Sequence, residues 1–368
     1  MDRHLVETVV GASGMVRHVA RPDLLVLAAL FHDIGKIPGA MDHSRTGAEL
    51  TDLAMRRIGY PEEDRAVVVR LVAEHLTLVD LATRRDPQDP ATITALTEAV
   101  DGSVEILDLL RALTEADASA AGPTAWSDWR AGLVDRLHDA CRTALLSAER
   151  EEAVAAEPVV GPTLPDHVLE TLATGEPHVT VLSLGGAHRV DIIDRDRAGL
   201  FADTAGLLAA QGFAVRSAVV RTVDGVAANE WWVESPGGET PVAELISRDL
   251  VRVSRGDRGP LGRLQRRKAN VARSVSSGSP DQARAVVVSS ASESATVIEV
   301  RATDRPGLLQ DIGITLARAS LSVRSAHIAT YAGQTLDTFY VTEYAGGQLA
   351  PARAAQAVAM IIDTCDGA

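Results

Sequence analysis

In the first 148 residues apolar side chains recur at three- and four-residue spacing, most plainly in Leu24–Phe31, Val67–Leu76 and Ile106–Leu113. That period predicts helices with one buried face. Gly35, Pro38–Gly39, Pro87, Pro90 and Gly122–Pro123 punctuate the region, as turns between short helices would. Residues 149–187 lose the periodicity and carry Pro158, Pro162, Pro165 and Pro177, which reads as a linker or connecting hairpin. Beyond it the pattern alternates between period 2 and period 3.6. Val190–Ile193, Val215–Val223 and Glu230–Val233 read as strands, as do Val297–Arg301, Val323–Tyr331 and Thr338–Thr342. Leu200–Gln211, Val242–Leu250, Leu308–Ala319 and Pro351–Thr364 read as helices.

The second half repeats itself. Asp196–Val233 aligns without a gap on Asp304–Val341, 38 residues each, with 14 identities at an offset of 108. An ungapped repeat of this length signals two copies of one supersecondary unit. Each copy reads as βαββαβ, the ferredoxin-like order, with DRAGL or DRPGL as the turn between the first strand and the first helix. The fold class expected is thus an all-α domain followed by two ferredoxin-like domains. The boundaries read as 1–148 for the helical domain, 149–187 for the linker, 188–273 for the first repeat with a basic extension, 274–294 for a connector holding one strand at Ala285–Ser289, and 295–368 for the second repeat.

A net charge of −14 argues against a general nucleic-acid binder. No apolar run approaches the roughly 18 residues that would cross a bilayer. The first residues lack the basic-then-apolar pattern of a signal peptide. Cys141 and Cys365 lie in no CxxC motif and fit a reducing, cytoplasmic setting. Of 36 basic residues only Lys36 and Lys268 are lysines, which makes a lysine inside a motif stand out.

His32 and Asp33 follow an apolar helical stretch in LAALFHDIGK. Two ionisable groups buried there without a partner would be costly, and a metal removes that cost. With His4, His43, His75 and Asp117 they make a mixed nitrogen and oxygen donor set that suits a divalent cation with open positions for water. Such a cation polarises a phosphoryl oxygen and lowers the pKa of bound water. Lys36, a turn beyond His32, is placed to neutralise a substrate phosphate, and the alternative for it is a solvated helix end. His18 and His138 read as ordinary structural histidines. Trp126 and Trp129, three apart, are expected to share a helical face as packing residues.

HDIGK, with His4 upstream and His75 and Asp117 downstream, resembles the HD superfamily of metal-dependent phosphohydrolases. The DRAGL and DRPGL repeat resembles a pair of ACT domains. One HD domain followed by two ACT domains resembles the bifunctional PII uridylyltransferase/uridylyl-removing enzyme family of bacterial nitrogen regulation. Further strings similar to that family are DHS at Asp42–Ser44, RRDPQDP at Arg84–Pro90, LTEADASAAGPTAWSDW at Leu113–Trp129 and ATVIEVRATDRPGLL at Ala295–Leu309.

The resemblance implies a phosphodiester hydrolase of the uridylyl-removing type, cleaving UMP or AMP from a PII signalling protein. A divalent metal (Mn, Mg, Fe or Zn) would be held by His4, His32, Asp33, His75 and Asp117, with His43 a ligand of a second ion. Asp33 and Lys36 would act at the phosphate. Glutamine is the implied effector, at Asp196, Arg197, Gly199 and Leu200 and at Asp304, Arg305, Gly307 and Leu308. Asp196 and Asp304 would meet its amino group or else cap the following helices. A homo-oligomer through the ACT domains is a further expectation. The family's Gly-Ser and paired-aspartate nucleotidyltransferase motif is not found, so the chain reads as a C-terminal portion without transferase activity of its own. A non-catalytic amino-acid sensor and a guanosine-tetraphosphate hydrolase are the alternatives. The second is disfavoured by a tandem repeat starting so soon after residue 187.

Overall fold

A computed structural model describes residues 2–122, 125–151, 171–184, 187–223, 225–235, 237–274, 282–331 and 333–367. The chain divides into two compact units, Met1–Pro158 and Val159–Ala368.

The first unit is helical. In it α1 spans Asp2–Gly14, α2 Pro22–Phe31, α3 His43–Arg57, α4 Glu62–Ala73, α5 Thr77–Arg84, α6 Pro90–Ala99, α7 Val104–Ala121 and α8 Asp128–Glu151. Local chemistry sets the starts. Pro22 opens α2, Asp42 caps α3 by accepting the Arg45 N–H at 3.0 Å, Asp89 caps α6 ahead of Pro90, and Ser103 caps α7. Leu24, Leu25, Ala28 and Ala29 of α2 are fully buried, with Val68, Leu71 and Val72 of α4 and Leu109, Leu110 and Leu113 of α7. The apolar pattern over Val67–Leu76 is not one helix: α4 stops at Ala73 and α5 starts at Thr77. Trp126 precedes α8, so it shares no helical face with buried Trp129. Instead the Arg111 guanidinium lies 5.8 Å from the Trp126 ring.

The second unit carries one antiparallel sheet. Its strands are β1 His178–Leu184, β2 Ala187–Arg195, β3 Ala214–Val223, β4 Val226–Glu234, β5 Arg284–Val287, β6 Thr296–Thr303, β7 Leu321–His327, β8 Thr330–Tyr331 and β9 Gln334–Glu343. The helices are α9 Leu200–Gln211, α10 Ala243–Ser254, α11 Gly262–Ser274, α12 Leu308–Arg318 and α13 Pro351–Asp366. Strand order is β1-β2-β4-β3-β7-β9-β6-β5, with β8 beside β9.

The repeat is visible as a near two-fold arrangement. Ala218 of β3 pairs directly with Ala326 of β7, and the two are equivalent at the offset of 108. Helices α9 and α12, also equivalent, pack on each other over the shared core. An element that pairs with its own counterpart is what an isologous contact requires.

The expected βαββαβ order needs correcting. Each repeat runs ββαββα. The place beside the repeat's first helix-leading strand is filled by a strand that precedes it: β1 beside β2, and β5 beside β6. That place demands only an antiparallel partner. Leu184 pairs with Ala187, so only two residues of chain separate the paired ends of β1 and β2. Strand β1 falls within 149–187, read as linker; the rest of that stretch lies largely outside the described residues.

Candidate functional site

The six metal-ligand candidates converge in the first unit. His4 comes from α1 and Asp117 from α7. His32 closes α2, Asp33 opens the turn after it, His43 is the first residue of α3, and His75 sits in the turn between α4 and α5. The His32–Asp33 pair therefore lies at a helix end rather than within one helix. Burial follows from the apolar α2 that leads into it: His32 is fully buried, and Asp33 and His75 nearly so.

Two backbone carbonyls fix the central rings. Nδ1 of His32 donates to Ala29 O at 2.9 Å, and Nδ1 of His75 donates to Val72 O at 2.8 Å. A carbonyl only accepts, so the proton sits on Nδ1 and the Nε2 lone pair faces inward. This is the arrangement of a histidine oriented for a metal. Ring centroids run in a chain at 5.4 Å from His4 to His32, to His75, to His43.

Asp33 is the hub. Its carboxylate lies 3.8 Å from His4 Nε2, 3.5 Å from His32 Nε2, 3.9 Å from His43 Nε2 and 3.8 Å from His75 Nε2. Lys36 Nζ donates to Asp33 Oδ2 at 2.7 Å while its side chain is about half exposed. Asp117 Oδ1 lies 2.9 Å from His4 Nε2 and 3.3 Å from His32 Nε2.

Electrostatics tie the groups together. Burial opposes protonation of His32, but the nearby Asp117 carboxylate, aided by the Ala29 carbonyl and Asp33, outweighs it and raises the His32 pKa. Burial pushes the Asp117 carboxyl up, and the proximity of His32 together with the charges of His32, His75 and His4 more than reverses that, leaving it below the ordinary range. Burial depresses His75.

The donor atoms form two trios, His4–His32–Asp117 and Asp33–His43–His75, each with its atoms within 4.8 Å of one another. Buried His32 Nε2, Asp33 Oδ1 and His43 Nε2 make no well-formed protein hydrogen bond. Inward imidazole lone pairs and a carboxylate oxygen left over in a buried site fit a divalent cation in each trio.

Glycine positions the second trio, and sequence reasoning passed over this. A Cβ on Gly35 would stand 1.9 Å from His43 O and 2.4 Å from Gly47 N, so α3 packs directly on the HDIGK turn. The cue was the glycine directly after an apolar residue in HDIGK, together with Gly47 one turn into α3.

In the second unit Gly199 and Gly307 adopt φ of +83° and +77° and stand at the starts of α9 and α12, with no side chain capping either helix. Asp196 and Asp304 therefore do not cap. Asp196 accepts from Thr222 Oγ1 at 3.1 Å. Arg197 pairs with Asp203 at 2.7 Å and Arg305 with Asp311 at 2.6 Å, so neither guanidinium is merely solvated. Leu200 and Leu308 are buried in the sheet–helix core. Lys268, from α11, reaches Asp311 at 2.6 Å and Gln310 at 3.1 Å across the Gly307 turn.

Residues 1–122 match the HD domain family. Over 93% of its length the chain is 39% identical to the bifunctional uridylyltransferase/uridylyl-removing enzyme of Mycobacterium tuberculosis, covering 43% of that protein. The Streptomyces coelicolor protein of the same name is 39% identical over 95% of the chain and 46% of its own length, and the Gluconobacter oxydans one 33% over 88% and 38%. The chain thus spans less than half the length of these relatives. The chain thus carries an HD domain over residues 1–122 and is similar, along nearly all of its length, to part of the bifunctional uridylyltransferase/uridylyl-removing enzymes.

Proposed function

We propose that the chain hydrolyses the phosphodiester joining a nucleotide to a PII signalling protein, releasing UMP or AMP, and that glutamine regulates this through the two repeats, read as ACT domains. The observation that carries the hydrolytic part is the convergence of His4, His32, Asp33, His43, His75 and Asp117 as two trios around buried His32, Asp33 and His75. Bound divalent metal supplies Lewis acidity toward a phosphoryl oxygen and acidifies water.

The chain's own groups do the rest. The Ala29 and Val72 carbonyls hold His32 and His75 in one tautomer. Lys36, exposed yet anchored on Asp33, offers its ammonium to an approaching phosphate. Asp117, held ionised beside His32, supplies an anionic oxygen to its trio. The apolar α2 and α4 walls keep the site's charges in a low dielectric, where they act strongly.

The test uses modified PII protein with manganese or magnesium. Nucleoside monophosphate release is expected from the chain. His32→Ala and Asp33→Ala should lower it by at least about 100-fold, the upper end of what losing even an outer-shell partner of a metal ligand costs. Undiminished release in either variant, or in excess chelator, would sink the assignment.

A further inference from the structure

The two repeats place two cavities at equivalent positions, and the cavities are unequal. The first lies at the Asp196–Leu200 turn, against the end of α12 and the start of β7, and holds about 30 Å³. The second lies at the Asp304–Leu308 turn, against the end of α9 and the start of β3, and holds about 510 Å³. The first has room for roughly one water. The second falls within the roughly 300–1,000 Å³ of small-molecule sites.

Two substitutions between the copies account for the difference. Phe201 stands where the second repeat has Leu309. Its ring lies 5.1 Å from Trp231 and so close to Gly313 that a Cβ there would be 2.9 Å away. The bulk of the ring occupies the first cavity. In the second, Asp337 stands where the first repeat has Asn229. Asp337 Oδ1 accepts from the Ala329 N–H at 3.3 Å and from the Thr335 hydroxyl. That N–H turns to Asp337 while the Ala329 carbonyl still accepts from the Leu336 N–H of β9 at 2.8 Å. The residue pairing of β7 with β9 ends at His327↔Thr338 and that of β8 starts at Thr330↔Thr335, whereas Val220↔Asn229 pairs without interruption in the first repeat.

The chemistry of the second cavity is that of an ammonium site. Asp337 is 98% buried at its wall and Asp304 lines the same cavity, and among the described residues no basic side chain forms an ion pair with either. Of the arginines lining it, Arg305 pairs with Asp311 and Arg216 with Glu234, and Arg267 donates to the Ala209 carbonyl. The N-terminus of the 11-residue helix α12 opens on the same cavity, where a carboxylate is favoured. Acid on one wall and a helix N-terminus on another match a zwitterion.

We propose that the chain holds one ligand site for a small zwitterion of the α-amino-acid class, in the cavity at the second repeat's turn, with Asp337 receiving the ligand's ammonium group and Phe201 closing the equivalent site in the first repeat. The proposal rests on the sensing role proposed above and adds which repeat senses and through which residue.

Calorimetry on the full chain tests it, with glutamine as the probe and its 2-hydroxy analogue, lacking the ammonium, as comparator. One site per chain is expected. Asp337→Asn should weaken binding at least about tenfold, the value of a charge-assisted hydrogen bond, and Asn229→Ala should leave it unchanged. The hydroxy analogue should give no heat on the unaltered chain, a result independent of how any variant folds. Two equal sites, equal binding of the analogue, or loss of binding in Asn229→Ala with none in Asp337→Asn would overturn the assignment while leaving amino-acid sensing intact. Heat from another α-amino acid instead of glutamine, with the same dependence on Asp337, supports the site and corrects only the effector. Heat from none of the twenty overturns sensing and this site together.

Discussion

Asp33 and Asp337 are both buried carboxyls, and their surroundings send them to opposite uses. Asp33 lies within 4 Å of four imidazoles and an ammonium, an environment built around an anion and cations. Manganese binding to the native state should therefore raise the melting temperature, by the equivalent of about 2.7 kcal/mol at a hundredfold excess over Kd. Asp33→Asn should abolish the rise, and thermal unfolding with and without chelator checks this apart from any assay of activity. Among the described residues no cationic side chain pairs with Asp337. Burial pushes its carboxyl up to about 7, against the pull of the Thr335 hydroxyl and the Ala329 N–H, and the neighbouring Asp304 adds to the rise. Between the ordinary carboxyl value of 3.8 and about 7 the unfolded chain has lost a proton that the folded chain keeps. The unfolded state thus binds fewer protons, and stability falls as pH rises through that window. Asp337→Asn removes this one contribution. Its stability relative to the native chain should climb from pH 4 to pH 7, by at most about 1.4 kcal/mol per pH unit, and then level off. Denaturant unfolding at several pH values measures it, and a flat difference would show that Asp337 is ionised throughout.

The elements that hold these residues were legible to different degrees. Helix α9 was read at Leu200–Gln211, where it lies, because a glycine turn opens it and Gly212 at φ +100° closes it. The helix α4 pattern misled, since Leu76 continues the apolar period while the backbone turns at Glu74 to aim His75 inward. Strand β1 was hidden by the proline-rich stretch before it, and only pairing with β2 reveals its role. The metal candidates were legible as residue types around a buried His-Asp pair. Their grouping into two trios was not, because it depends on where α1, α3 and α7 cross. Asp337 escaped for a simpler reason: a search for identities between the copies discards the positions where the copies differ, and there the two cavities diverge. Gly35 makes the element-scale argument testable. Ala at 35 would meet the His43 carbonyl and the Gly47 amide, backbone that no side-chain rotation relieves. Gly35→Ala should displace the start of α3 and with it His43. Metal analysis is expected to find weaker or lower occupancy of the Asp33–His43–His75 trio, and unchanged metal content and activity would show that α3 yields without cost.

Across the second unit the sheet is continuous through the Ala218↔Ala326 pair, so whatever shifts one repeat strains the other. The packed helices α9 and α12 transmit the same constraint: Gln310 lies against Gly206, and Phe201 against Gly313, too closely for a Cβ at either glycine. A ligand that prefers one spacing of these helices biases both repeats. Regulation of hydrolysis requires only that the ligand bind one arrangement better, and a coupling of about 1–3 kcal/mol changes activity roughly 5–150-fold. Lys268 is the place to probe this. Its stem crosses Gly307 within 2.2 Å of where a Cβ would sit, and its ammonium ties α11 to Asp311 on α12. Lys268→Met keeps the stem and removes the ion pair, whereas Gly307→Val imposes a β-branched residue at φ +77° and collides with the stem. Glutamine binding should survive the first change and fail in the second. The response of nucleotide release to glutamine should weaken in Lys268→Met, because the tie between α11 and the moving turn is gone while the site is intact. Titrating glutamine against both binding heat and monophosphate release separates the two quantities. A full response in Lys268→Met would place the coupling route outside α11, and a full response in Gly307→Val would remove the second repeat's turn from sensing.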